Sequence, residues 1–194
     1  MITGILFFLN FLVTLGVVLW LVYAIYDLCK SKFGQYPTFA SSFSETKKKL
    51  LEEASSHLRR AKTCQHVVDL GCGNGALLVP LAKRFPKHEF YGYDWNIVAY
   101  VWAKIRTRRF KNVHIYRQDF MQVDLSKMNM AFCFLIKALI PRISKKVQKE
   151  MPNGALIFSE LFPLKVNVLK HKVDAKTFGF GLPYYVYEIK NSKR

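Results

Sequence analysis

The sequence is short of acid. Thirteen aspartates and glutamates stand against 30 lysines and arginines in 194 residues, a formal net charge of +17. A surface that basic expects an anionic neighbour: lipid headgroups, nucleic acid or an acidic protein. Cysteine is scarce as well. Cys29, Cys64, Cys72 and Cys133 form no C-x-x-C pair, and His57, His66, His88, His114 and His171 are scattered without metal-ligand spacing. This excludes a zinc site, and no metal is expected. The thiols read as reduced and unpaired, which suits a reducing compartment. There is no internal repeat, and the length allows one domain with a sizeable core.

Charge is also missing from the start of the chain. No side chain from Met1 to Tyr26 is charged, and Gly4 to Tyr26 is almost wholly Leu, Val, Phe, Ile, Trp and Tyr. Such a run, as a helix, spans roughly 34 Å, enough for a bilayer core. Trp20, Tyr23 and Tyr26 gather toward its end, where aromatic rings suit the lipid–water interface, and Asp27, Lys30 and Lys32 come next. A signal peptide fits poorly: the basic n-region is absent and the apolar run is too long. The expectation is a transmembrane anchor over residues 1–28, contacting lipid through residues 4–26. The basic flank places the rest of the chain on the cytoplasmic or matrix side. Residues 29–62 then form a juxtamembrane segment and an N-terminal helix (Glu45 to Ala61, with Leu50, Leu51, Ala54 and Leu58 on one side), and residues 63–194 the soluble domain.

The chain is organised around Val67-Val68-Asp69-Leu70-Gly71-Cys72-Gly73-Asn74-Gly75, an apolar run ending in an acid and a glycine-rich turn. Ala76 to Phe85 reads as a helix closed by Pro86. Strand, glycine turn and helix hold nucleotide-like ligands in open α/β sheets. Gly71-x-Gly73-x-x-Ala76 also fits the loose dinucleotide fingerprint, so Asp69 decides the matter. Its carboxylate, at the strand end, would oppose a pyrophosphate but would form a charge-assisted hydrogen bond with an ammonium group. S-adenosylmethionine carries an ammonium and a sulfonium and no phosphate, so it is the expected cofactor. Gly71, Gly73 and Gly75 let the backbone approach it; Cys72 either lines the turn or fills a small space there.

The remaining elements come in chain order. A second strand, His88 to Asp94, ends in an acid placed for ribose hydroxyls. Trp95 or Asn96 is expected to line the adenosine pocket, ahead of a helix carrying Val98, Val101, Trp102 and Ile105, in which Trp102 reads as core. Arg106, Arg108, Arg109 and Lys111 are a basic cluster: a solvated face, or a contact for lipid phosphates. After the third strand, Val113 to Tyr116, Asp119 is placed to accept from the adenine amino group and Phe120 to pack on the ring. A fourth strand is expected over Asn129 to Ile136, a helix from Pro141 through Val147, a fifth strand over Gly154 to Ser159, and a closing antiparallel strand over Tyr184 to Ile189. Leu161 to Phe180 has no clear pattern. Upstream, the Ser-, Thr- and aromatic-rich stretch holding Thr38, Ser41 and Ser42 either folds over the methionine end of the ligand or is a juxtamembrane turn.

These motifs resemble the class I S-adenosylmethionine-dependent methyltransferases over about residues 64 to 160, with Asp69-Leu70-Gly71-Cys72-Gly73-Asn74-Gly75, Asp94 and Asp119-Phe120 carrying the likeness. More narrowly the chain is similar to small membrane-anchored protein-lysine methyltransferases related to the mitochondrial enzymes that modify the ATP synthase c-subunit and the adenine nucleotide translocase. The shared features are the apolar helix, Pro37-Thr38, Gly92-Tyr93-Asp94-Trp95-Asn96, Tyr116-Arg117-Gln118-Asp119-Phe120, Val123-Asp124-Leu125 and Phe162-Pro163; that family usually has Glu where Asp94 stands. The resemblance implies a Rossmann-like methyltransferase sheet with helices on both faces, and Thr38 at the cofactor. It also implies a lysine of a membrane-associated protein as acceptor, at a bacterial or mitochondrial inner membrane. No acidic or Asn-Pro-Pro-Tyr-type motif comes after strand four, where Phe132 to Pro141 is apolar apart from Lys137. That weakens nucleobase methylation, and nucleic acid is not the expected partner. Glu160, at the end of strand five, is the nearest catalytic candidate; a salt bridge with a lysine explains it equally. A quinone or phospholipid methyltransferase and a non-enzymatic cofactor-binding membrane protein remain as alternatives.

Overall fold

The computed structural model describes residues 2–30, 44–166, 169–177 and 180–190. The chain divides into two compact units, residues 1–38 and 39–194. Within the first, α1 (Ile2–Lys30) is one apolar helix. Its stretch Gly4–Tyr23 is long and apolar enough to cross a bilayer and buries nothing; a signal sequence in this position would look the same.

The second unit is a mixed α/β sheet with helices on both faces. Its elements are α2 (Ser44–Arg60), β1 (His66–Leu70), α3 (Leu78–Arg84), β2 (Glu89–Asp94), α4 (Ile97–Thr107), β3 (Val113–Arg117), β4 (Met130–Cys133), α5 (Ile140–Glu150), β5 (Leu156–Glu160), β6 (Leu169–Thr177) and β7 (Phe180–Glu188). The strand order is β3-β2-β1-β4-β5-β7-β6. Strands β3, β2, β1, β4 and β5 pair in parallel, while β7 runs antiparallel to both β5 and β6. The order reverses between β1 and β4, and ligands of open α/β sheets bind at the carboxyl ends of the strands at such a switch.

The central strands are buried on both faces and read as continuous apolar runs, as parallel strands do. One core joins Leu50, Ala54 and Leu58 of α2, Leu78, Leu81 and Ala82 of α3, and Ala103 of α4 to Val67, Phe90, Phe132, Phe158 and Tyr184 of the sheet. The spacing 50, 54, 58 is the i, i+4 stripe of an amphipathic helix. On the opposite face α5 buries Ile143 and Val147, and Ser144 Oγ accepts from the Lys165 amide at 2.9 Å. The connection from β3 to β4 holds only a 3₁₀ turn, Phe120–Gln122. The rings of His66, Tyr91 and His114, and of Tyr93 and Tyr116, stack along the strands beside it.

Several boundaries move from those expected. The helix anticipated from Ala76 begins at Leu78, because the Gly75 turn continues two residues further. The fourth strand stops at Cys133 rather than Ile136, where the chain leaves the sheet for a second 3₁₀ turn, Lys137–Leu139. The patternless stretch after Leu161 supplies β6, an edge strand whose lysines at 170, 172 and 176 hide its alternation. Trp102 is not core: it is 59% exposed, because the sheet-facing side of α4 consists of the small residues Ala99, Ala103 and Thr107.

Candidate functional site

Register alone assembles the site. Gly92, Asp69, Phe132 and Phe158 stand opposite one another across β2, β1, β4 and β5. Asp94 lies two residues beyond Gly92 and Glu160 two beyond Phe158, so all three acids point to the same face of the sheet at its carboxyl end. Tyr184, opposite Glu160 on β7, donates its hydroxyl to Glu53 Oε2 of α2 at 2.8 Å. The acids therefore lie on the face covered by α2. Asp69 is 6% and Glu160 3% exposed.

The turn after β1 is held by its own strands. Gly71 and Cys72 donate their amides to Tyr93 O at 2.9 and 3.1 Å, Gly73 donates to Asp94 Oδ2 at 2.9 Å, and Gly75 donates to Cys72 O at 2.9 Å. Gly71, Gly73 and Gly75 all have positive φ (86°, 54° and 70°), which glycine adopts without penalty. Gly92 is needed for space. A Cβ there would sit 2.7 Å from Ile115 Cδ1 and 2.9 Å from both Cys72 Sγ and Leu78 Cδ1. Cys72 is thus a buried filler between turn and strand, and burial pushes its thiol well up, so it stays protonated. With these four amides committed internally, the turn is no phosphate cradle of the kind dinucleotide sites present.

Charge decides what the site accepts. Burial pushes the Asp69 carboxyl up to about 7; Asp94 adds to the rise, Lys47 opposes it, and Glu160 raises it further. Asp94 is also raised, by burial, against the pull of its two backbone donors, Asn96 at 2.9 Å and Gly73. Lys47, half-buried on α2, is lowered by burial first and then by Arg106, while Asp69 and Glu160 draw it back. Three carboxylates with one lysine among them favour a ligand of net positive charge. S-adenosylmethionine, with an ammonium, a sulfonium and one carboxylate, fits that donor set.

The other predicted residues take these places. Asn96 caps α4: its Oδ1 accepts from Val98 and Ala99 at 2.9 and 3.1 Å. Trp95 is half-buried next to it, and its carbonyl accepts from Arg117 Nε at 3.4 Å. Asp119 is half-buried beyond the end of β3 and accepts from Met121 N at 2.9 Å, while Phe120 is buried, 4% exposed. Thr38, Ser41 and Ser42 lie outside the described residues. Cys64, Cys72 and Cys133 are free thiols, and among the described residues no cluster of metal ligands occurs. Sequence reasoning missed Lys47. Its signal was present only as the i−3 neighbour of Leu50, on the shoulder of the buried stripe of α2.

Beyond Glu160 the backbone turns sharply. Leu161 takes φ 72°, and Phe162 N donates to Glu160 O at 2.9 Å. This is a γ-turn with a left-handed centre, a rare and strained form. It is pinned by Leu161 N to Pro183 O at 2.8 Å and by Ser159 Oγ to Phe162 O at 2.7 Å. Strain of this kind gathers at functional sites.

Comparison with known proteins identifies the family. The ANTKMT methyltransferase domain matches residues 69–169. A protein-lysine N-methyltransferase of Saccharolobus islandicus is 25% identical over 130 residues, 66% of this chain and 81% of its own length. A lysine N-methyltransferase of the ATP synthase c-subunit, from Xenopus laevis, is 28% identical over 101 residues, 50% of this chain but only 43% of that protein. An RNA methyltransferase from Salinibacter ruber, solved with S-adenosyl-L-homocysteine, shares the fold at TM-score 0.68 and 15% identity, over 80% of this chain and 97% of the other. The match runs from Asp69 to Leu169, over half of the chain, and the chain belongs to the ANTKMT methyltransferase domain family of class I S-adenosylmethionine-dependent methyltransferases.

Proposed function

We propose that the protein methylates a lysine side chain of a membrane-associated protein. The observation that carries this is the row of Asp69, Asp94 and Glu160 on one buried face, which offers a place to the methionyl ammonium at Asp69 and to an incoming amine at Glu160. The relatives from Saccharolobus islandicus and Xenopus laevis, both named as lysine methyltransferases, support the acceptor class. The apolar α1 supports a membrane setting.

In this reading Asp69 accepts from the ammonium and Asp94, with lone pairs beyond those used by Gly73 and Asn96, accepts from the ribose. Asp119 serves the adenine amino group, with Trp95, Asn96 and Phe120 shaping the pocket, and Thr38 the methionine end. Lys47 is the cation for the methionyl carboxylate. The cofactor supplies an electrophilic methyl group on sulfonium; the protein supplies orientation. A lysine reacts only as the free amine. Glu160 orients it by hydrogen bond, while Lys47, a cation on the same face, disfavours a second ammonium beside it.

Asp94→Ala is expected to weaken S-adenosylmethionine binding at least tenfold, since it removes the ribose acceptor and frees the Gly73 amide. An unchanged dissociation constant by calorimetry would count against that role. The acceptor is tested with detergent-solubilised full chain, labelled S-adenosylmethionine and membranes from a strain lacking the gene. Label in one protein band, mapped to a lysine, is the expected result. Label in the solvent-extractable fraction would move the assignment to a quinone or phospholipid, and no label despite cofactor binding would overturn the acceptor assigned here.

A further inference from the structure

Helix α4 is built inside out. Its buried residues are the small Ala99, Ala103 and Thr107, with Tyr100 packed at their edge, and two of them lie so close to the cofactor turn that a Cβ on Gly75 would be 3.3 Å from Thr107 Cγ2 and 3.5 Å from Ala103 Cβ. At 100° per residue the opposite side holds Ile97, Val101 and Ile105, with Val98 and Trp102 beside them. Ile97, Val101, Trp102 and Ile105 are 39%, 44%, 59% and 50% exposed. The apolar face of this amphipathic helix is thus turned outward. Lys104 borders it on one side and Arg106 on the other, and Arg108, Arg109 and Lys111 continue past its end. From Trp95 to Gln118 there is no acidic residue at all.

We infer that the outward face of α4 lies in the interface of an anionic lipid bilayer. Three observations select lipid over a protein partner. The exposed side chains are large and aliphatic, with a tryptophan, the ring that favours the headgroup boundary. Their basic borders are of one sign on both sides, which suits a uniformly anionic plane that attracts each lysine and arginine near it. The same chain carries α1, long and apolar enough to span a bilayer. Helices of this composition rest with their apolar face in the acyl boundary and their cations among the headgroups.

The contact also bears on the site. Asn96, the cap of α4, lies two residues after Asp94, and Arg106 donates to Asn74 Oδ1 of the cofactor turn at 3.2 Å. A helix resting on lipid would hold the carboxyl ends of the strands beside the membrane surface, where a lysine at the end of a spanning helix is found. This deepens the reading of a membrane-associated acceptor and rests on it for that consequence only.

The test uses the full chain in vesicles of acyl-brominated phosphatidylcholine, with and without phosphatidylglycerol. The fluorescence of Trp102 is taken as the difference between the natural chain and Trp102→Phe, and that of Trp20 as the difference from Trp20→Phe. Quenching of Trp102 by the brominated chains is expected in the anionic vesicles, reduced at high salt and in an Arg108→Glu, Arg109→Glu variant. Unquenched Trp102 beside quenched Trp20 would overturn the inference and leave the spanning reading of α1 intact. Unquenched Trp20 would count against α1 alone. Trp102 shielded from aqueous acrylamide but untouched by brominated lipid would assign the face to a protein, a second copy or a membrane partner, and overturn the lipid assignment.

Discussion

Asp69→Asn is expected to weaken S-adenosylmethionine binding at least tenfold and to remove most of its pH dependence between about pH 6 and 7. A hydrogen bond to a charged group contributes about 1.5–3 kcal/mol, or roughly ten- to 150-fold. The pH effect arises from the raised carboxyl. Free Asp69 titrates at about 7, and the ammonium needs the carboxylate. Affinity in the natural chain should therefore rise up to tenfold per pH unit as pH climbs toward 7, and level off above it. Calorimetry at pH 6 in two buffers of different ionisation enthalpy should show release of nearly one proton on binding, absent in Asp69→Asn. An equal proton release in the variant would refute Asp69 as the titrating group.

The same substitution should stabilise the protein without cofactor. A carboxyl whose folded pKa lies above its ordinary 3.8 favours folding while protonated, and that advantage is lost as pH rises through about 7. The upper bound of the loss is about 4 kcal/mol. Asparagine never ionises, so the variant's melting temperature should exceed that of the natural chain most clearly at pH 8, with the gap narrowing toward pH 5. Function here opposes stability: the buried acid is retained for its ligand.

Glu160→Gln should separate binding from turnover. The amide keeps the shape and one acceptor but loses the charge that holds the incoming amine. Transfer to lysine is expected to fall on the order of a hundredfold, the scale of a positioned acid–base group. Cofactor affinity should stay within threefold at pH 8. At pH 6 it should improve slightly, because Glu160 is one of the groups that raise Asp69. A parallel fall in affinity and turnover would place Glu160 with the cofactor instead of the acceptor.

Much of this was legible in the sequence. The central strands announce themselves because they are buried on both faces and terminate in acids. The turn residues are forced by left-handed backbone, so Gly71, Gly73 and Gly75 could be read directly. The features that escaped depended on tertiary context. Lys47 looks like any lysine of a solvated helix until α2 packs on the sheet. Trp102 looks like core until the small residues opposite it take the sheet side of α4. The strand β6 is an edge, and its charges mimic a loop. Asn96 reads as a pocket residue by position, yet its side-chain oxygen is spent on the α4 cap. The sharp turn at Leu161 has no sequence signature, since nothing in Glu160-Leu161-Phe162 calls for φ 72°.

The seat of α2 against the last strands has a consequence for synthesis. The hydroxyl of Tyr184 meets Glu53 across 131 positions of chain. Leu50, Ala54 and Leu58 share a core with Tyr184 and Val186. On the ribosome α2 therefore emerges early with an apolar stripe and no complete surface to receive it. Closure waits until β7 has been made and has inserted between β5 and β6. Contacts so distant along the chain form slowly. A stripe left open for that interval is a natural place for a chaperone to hold the nascent chain.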